Sequence, residues 1–188
     1  MNRALLAGAA LGLFACSAPR SANMVRQPAS TTPPIAATKT LRLLATTSDR
    51  TIPPWVFETG VGLVAPPTTE SAITQADFYR ALNTTLADSR LFKNVVVGGA
   101  ADYELDGRIF SEEISNGGLG TATLGVRYRL VEPSSGKLSW SGTLVSECKL
   151  NEIIPSSIIS SDSISNANEC AMRKNLAELV NDLAKLTL

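Results

Sequence analysis

The sequence predicts an α+β fold: a mixed sheet ending in an antiparallel three-stranded meander, with two helices packed on one face. In the stretch Gly120 to Val131, Ala122, Leu124, Val126, Tyr128 and Leu130 share one parity, and Thr121, Thr123, Arg127 and Arg129 share the other. A period of two, rich in β-branched and aromatic types, marks a half-buried strand. Alternating runs flank it across turn sequences, Asn116-Gly117-Gly118 before it and Pro133-Ser134-Ser135-Gly136 after it. Strands joined by short turns pair antiparallel. Finally, apolar residues recur at helical spacing from Phe78 to Leu86 and from Met172 to Leu186.

Residues 1–15 read as a processing segment. Asn2 and Arg3 precede an uninterrupted apolar run, Ala4 to Phe14, too short to span a bilayer and of the length of a signal-peptide core. The run ends in Leu13-Phe14-Ala15-Cys16, which resembles the bacterial lipobox. That resemblance implies cleavage before Cys16, a diacylglyceryl thioether on its sulfur and an acylated new N-terminus. The plain alternative is an ordinary signal peptide with a cysteine nearby. Each buried methylene of an acyl chain adds about 0.8 kcal/mol of membrane affinity, so several chains anchor firmly. Ser17 stands where an aspartate would resemble an inner-membrane retention signal, so the expected place is the outer membrane, facing the periplasm. Residues 16–39 then form the lipidated cysteine and a flexible tether. Their Ser, Ala, Pro and Thr cannot bury enough apolar surface to offset backbone ordering.

One domain is expected over residues 40–188. Leu41 to Ala45 reads as a first strand with Leu41, Leu43 and Ala45 inward. Ser48 to Ser71 mixes Pro53-Pro54, Pro66-Pro67 and glycines with Trp55, Val56, Phe57 and Leu63. It is either a loop packed over the core edge or a partner-binding loop carrying Trp55 and Phe57. Thr74-Gln75-Ala76-Asp77 is a capping-box variant, and Ile73 and Phe78 sit where a hydrophobic staple would, so a helix runs from there to about Ser89. Val95 to Val97 is a short second strand, and strand–helix–strand favours a parallel unit. Tyr103, Leu105 and Ile109 point inward on the next strand; Leu138, Trp140 and Leu144 do so on the last, with Trp140 expected in the core. Asn151 to Ser165 is a second irregular segment whose Ile158 and Ile159 are candidate partner contacts. The final helix opens at Ser165 or Asn166. Its Met172, Leu176, Leu179, Leu183 and Leu186 form a narrow stripe suited to a sheet face.

Composition narrows the function. The 17 basic and 17 acidic residues balance, which leaves no electrostatic basis for binding nucleic acid. There is no histidine, so the commonest general base and metal ligand is missing. Once Cys16 carries lipid, Cys148 and Cys170 remain in a compartment that oxidises thiols, and a disulfide between them is expected. Against it, helical phase puts Cys170 nearly opposite the Met172 stripe, so bridging requires the helix to start near Cys170 or the preceding loop to fold over its outer side.

The chain resembles small proteobacterial envelope lipoproteins, the auxiliary lipoproteins of envelope ABC transporters and relatives with a β-α-β-β-β-α core. The features that carry this are the lipobox, A-D-Y-E-L-D-G-R at Ala101 to Arg108, V-R-Y-R-L-V at Val126 to Val131, S-G-K-L-S-W at Ser135 to Trp140 and the terminal helix. The resemblance implies an accessory or assembly factor with no catalytic residues to carry over.

Motifs with chemical potential are few. Ser146-Glu147-Cys148-Lys149 matches the S-x-x-K string of penicillin-recognising enzymes, but a strand sends Ser146 and Lys149 to opposite faces. Asp102, Glu104 and Asp106 share an outward parity, read as a solvated face facing Arg127 and Arg129 rather than a calcium site. The expectation is therefore a lipid-anchored, non-catalytic accessory or scaffold protein of an envelope assembly or transport complex, without cofactor or metal. Its expected partner is an envelope protein, with a second copy of the chain left open. The alternative is a small periplasmic carrier or chaperone for an apolar ligand such as a lipid.

Overall fold

Local signals place the first helix. In the computed structural model, α1 (Gln75–Ser89) is capped by Thr74, whose hydroxyl oxygen accepts from the Asp77 amide at 3.1 Å. Ile73 and Phe78, the staple pair, are both buried. The helix stops at Arg90, whose left-handed backbone (φ 55°) lets its N–H reach the Ala87 carbonyl. The structure describes residues 24–25, 36–44, 47–48, 73–115, 121–149 and 161–186.

Around α1 lie β1 (Ala36–Leu43), β2 (Thr47–Ser48) and β3 (Phe92–Val96), then the long strands β4 (Tyr103–Ser115), β5 (Thr121–Glu132) and β6 (Lys137–Lys149), and finally α2 (Ser161–Leu183). The sheet order is β3-β1-β4-β5-β6, with β2 also on β4. β1 runs parallel to both β3 and β4, while β4–β5 and β5–β6 are antiparallel, so the sheet is mixed and ends in the expected meander. Both helices lie on the same face. Phe78 of α1 and Tyr128 of β5 meet over Gly107, and Tyr128 also reaches Asn175 of α2. Gly107 is the residue that allows this, since a Cβ there would sit 3.2 Å from both rings.

Several boundaries differ from expectation. β1 begins at Ala36, ahead of Leu41, and Met24 is completely buried in the core. A single flexible thioether can fill a core gap without any periodic pattern to announce it. The second strand is Phe92–Val96 rather than Val95 to Val97. It is anchored by buried Leu91 and Phe92 directly after the helix, and Val97 lies past its end, 70% exposed. α2 begins at Ser161, ahead of Ser165. Leu138 is not inward. A register shift pairs Leu130 with Trp140 but Val131 with Leu138, which turns Leu138 to the outer face at 49% exposure. Trp140 stays on the inner face but is only partly buried, its indole lying over Gly142, where a Cβ would come within 2.5 Å.

Candidate functional site

The two faces of the sheet carry different chemistry, and each follows from how its strands are paired. On the covered face, Tyr128 is completely buried and its hydroxyl donates to Asn175 Oδ1 at 2.8 Å. The Asn175 amide donates in turn to the Leu144 carbonyl at 3.1 Å and to Ser146 Oγ at 3.3 Å, and Ser146 Oγ donates to Glu178 Oε2 at 3.2 Å. This chain of bonds ties α2 to β5 and β6 at one longitudinal position. Burial, reinforced by the nearby Glu178 charge, pushes the Tyr128 phenol above its ordinary range, so it remains a donor at physiological pH. Ser146 therefore belongs to the polar interior, while Lys149 is exposed on the opposite parity.

Beside this cluster Cys148, fully buried at the end of β6, is bridged to Cys170 with 5.9 Å between the Cα atoms. The phase objection is met by a second row on α2. Ala167, Ala171, Asn175 and Glu178 follow at helical spacing, and the last two bond to β6. Cys170 borders that row. The buried side of α2 is wider than its leucine stripe, because alanines and a hydrogen-bonded asparagine extend it.

On the outer face Asp102, just before β4, and Glu104 and Asp106 in it do not pair with Arg127 and Arg129 as their parity suggests. Asp102 accepts from the Thr40 amide at 2.7 Å and the Thr40 hydroxyl at 2.8 Å, with Lys39 at 3.7 Å, and these partners, Thr40 foremost, hold its carboxyl below the usual range. Glu104 pairs with Arg42, and Asp106 with Arg108 at 3.1 Å. Arg127 instead lies over the Phe110 ring, 5.2 Å from its centroid. Phe110 shares the outward parity of Asp106 and Arg108, sits at a register shift in β4 and occupies the space above Gly125, where a Cβ would come within 2.5 Å. Val145, opposite Gly125 on β6, is 55% exposed. Among the described residues no three His, Cys, Asp or Glu side chains gather as a metal ligand set, and no helix is long and apolar enough to cross a membrane.

The same arrangement of sheet and helices occurs in solved bacterial structures. A Xanthomonas campestris protein of the family DUF330 superposes with a TM-score of 0.62 at 20% identity, covering 85% of this chain and 91% of that one. A hypothetical protein from Chlamydia trachomatis superposes with a TM-score of 0.55 at 12% identity, covering 80% of this chain and 98% of that one. The likeness is one of fold. No family model and no curated protein matches the sequence.

Of the residues singled out from sequence, Cys148 and Cys170 are brought together. Cys16, Trp55, Phe57, Ile158 and Ile159 lie outside the described residues. Asn175 and the Phe110–Arg127 stack were not foreseen. The available signal was the pair of glycines, Gly107 and Gly125, inside long strands, positions where a missing side chain makes room for a neighbour.

Proposed function

We propose that this chain is a lipid-anchored periplasmic accessory or scaffold protein of an envelope assembly or transport complex, held at the outer membrane through Cys16. The observation that carries this reading is the asymmetry of the sheet. Both helices and the polar cluster occupy one face, while the other exposes arginine, aromatic and aliphatic side chains side by side, the mixture found at protein interfaces. The lipobox resemblance supplies the anchor, and the fold shared with small bacterial proteins agrees with a small accessory domain. A carrier for an apolar ligand would need space between the sheet and α2. Leu124, Tyr128, Leu130, Met172 and Leu176 fill it, all completely buried, and the Tyr128–Asn175 bond crosses it.

The test is fractionation and crosslinking in intact cells. Wild-type chain should label with palmitate, fractionate with the outer membrane and crosslink to an envelope protein, and Cys16→Ser should lose the label and the membrane association. A Cys16→Ser chain that still labels and stays wholly in the membrane fraction would falsify the anchor.

A further inference from the structure

The outer face holds an arrangement that the stability of the sheet does not call for. Arg108 and Arg127 stand directly opposite each other on β4 and β5, where like charges destabilise a strand pair. Two residues on, Arg129 projects from the same face opposite Asp106, whose carboxylate is taken by Arg108. Among the described residues neither Arg127 nor Arg129 has an ion-pair partner. Arg127 instead lies over the Phe110 ring, which shares the outward parity of Asp106 and Arg108 and takes the place that the glycine at 125 leaves clear. A guanidinium already held against an aromatic ring loses less freedom on binding an anion than a free side chain does.

The neighbours complete a linear pattern along β5. At position 125 the floor is apolar, formed by Phe110 and the exposed Val145. Positions 127 and 129 are guanidinia. At position 131 Val131 lies opposite the exposed Leu138 of β6, with Glu104 of β4 on its other side neutralised by Arg42.

The geometry points to a docking surface for an extended acidic protein segment, one with two carboxylates at alternate positions flanked at the same parity by apolar residues. Alternate residues of a strand are about 6.8 Å apart, the spacing of Arg127 and Arg129 themselves, so successive outward carboxylates of an extended peptide each meet one guanidinium. The flanking apolar side chains then reach Val145 with Phe110 at one end and Leu138 with Val131 at the other. This inference rests on the accessory-protein reading and adds the face used and the chemistry of the partner.

The direct test uses the full chain and a labelled peptide, Leu-Ser-Glu-Ser-Glu-Ser-Leu, in low-salt fluorescence anisotropy, with both glutamates replaced by glutamine as control. The glutamate peptide should bind at least about tenfold more tightly than the control. Arg127→Gln and Arg129→Gln should each weaken it about tenfold, Gly125→Val should do the same by displacing Phe110, and Lys93→Gln on β3 should leave it unchanged. Equal binding of the two peptides, no binding at millimolar concentration, or wild-type binding by folded Arg127→Gln would each overturn the proposal. So would tighter binding to phosphatidylglycerol vesicles than to the peptide. In cells, a photocrosslinker at Thr143, opposite Arg127 on β6, should capture a peptide rich in carboxylates, and the capture should fall with Arg127→Gln plus Arg129→Gln. Capture of a second copy of the chain overturns the docking surface. If crosslinks to an envelope protein form elsewhere but none at Thr143, the docking surface is wrong and the accessory role stands. If no position crosslinks, the accessory role fails as well.

Discussion

The covered and open faces of this sheet use the same alternating strands for opposite ends. On the covered face every large residue of β5 is buried, from Ala122 to Leu130, and even its polar member, Tyr128, is matched by an acceptor on α2. On the open face Arg127 and Arg129 are exposed, other charges are paired along or between neighbouring strands, and one guanidinium rests on an aromatic ring. Burying a polar group costs free energy unless its partner is supplied, so the covered face tolerates few changes. Exposed ion pairs contribute about 0 to 1 kcal/mol each, so the open face is free to be shaped by what it binds.

The sharpest way to break this contrast is to cut the covered face. Leu176→Ala, at a completely buried position of α2, should cost about 2 to 5 kcal/mol, read as a lower urea midpoint with an unchanged slope. Next, Cys148→Ser with Cys170→Ser opens a bridge that spans a sequence separation of 22 and should cost about 3 kcal/mol. Reductant should lower the midpoint of the wild type and leave that of the double variant where it is. A wild type indifferent to reductant would mean the bridge does not form.

Tyr128→Phe should cost about 1 to 3 kcal/mol, because Asn175 Oδ1 loses its donor in a buried place. The same residue sets a pH limit. Its phenol is harder to ionise in the folded chain than in the unfolded one, so stability is intact below about pH 10 and falls as pH rises past the point where the unfolded tyrosine ionises. Tyr128→Phe should flatten that alkaline fall in denaturation curves recorded from pH 8 to 11. The open face behaves in the reverse sense. Asp102 is held ionised by Thr40, so its contribution is present above the ordinary aspartate range and is lost as pH falls through its lowered value.

Smallest of all, Arg127→Gln and Arg129→Gln should shift stability by no more than about 0.5 kcal/mol, since both side chains are exposed and unpaired among the described residues. A loss of several kcal/mol in either would show that the open face is structural after all, and the division between the two faces would collapse.

By itself the sequence determined whatever is local or periodic. Parity along Gly120 to Val131 fixed which residues of β5 face the helices, the Thr74 cap with its Ile73–Phe78 staple set where α1 starts, and turn residues delimited the meander. Tertiary structure alone decided the rest, because those features arise between elements distant in the chain. The strand–helix–strand order pointed to β1 parallel with β3, but nothing local signalled that β4 would pair parallel along the other edge of β1 and leave β1 between them. Leu138 was turned outward by one register shift in β6, and a slip of one residue reverses every side chain beyond it. Asn175 looks like an ordinary polar helix residue until Tyr128, 47 positions away, donates to it. Cys170 appears to face away from the core until the alanine-and-asparagine row shows how broad the buried side of α2 is. Periodicity reports hydrophobicity along one element; hydrogen bonds, bridges and stacked rings are made across elements, and only their packing brings the partners within reach.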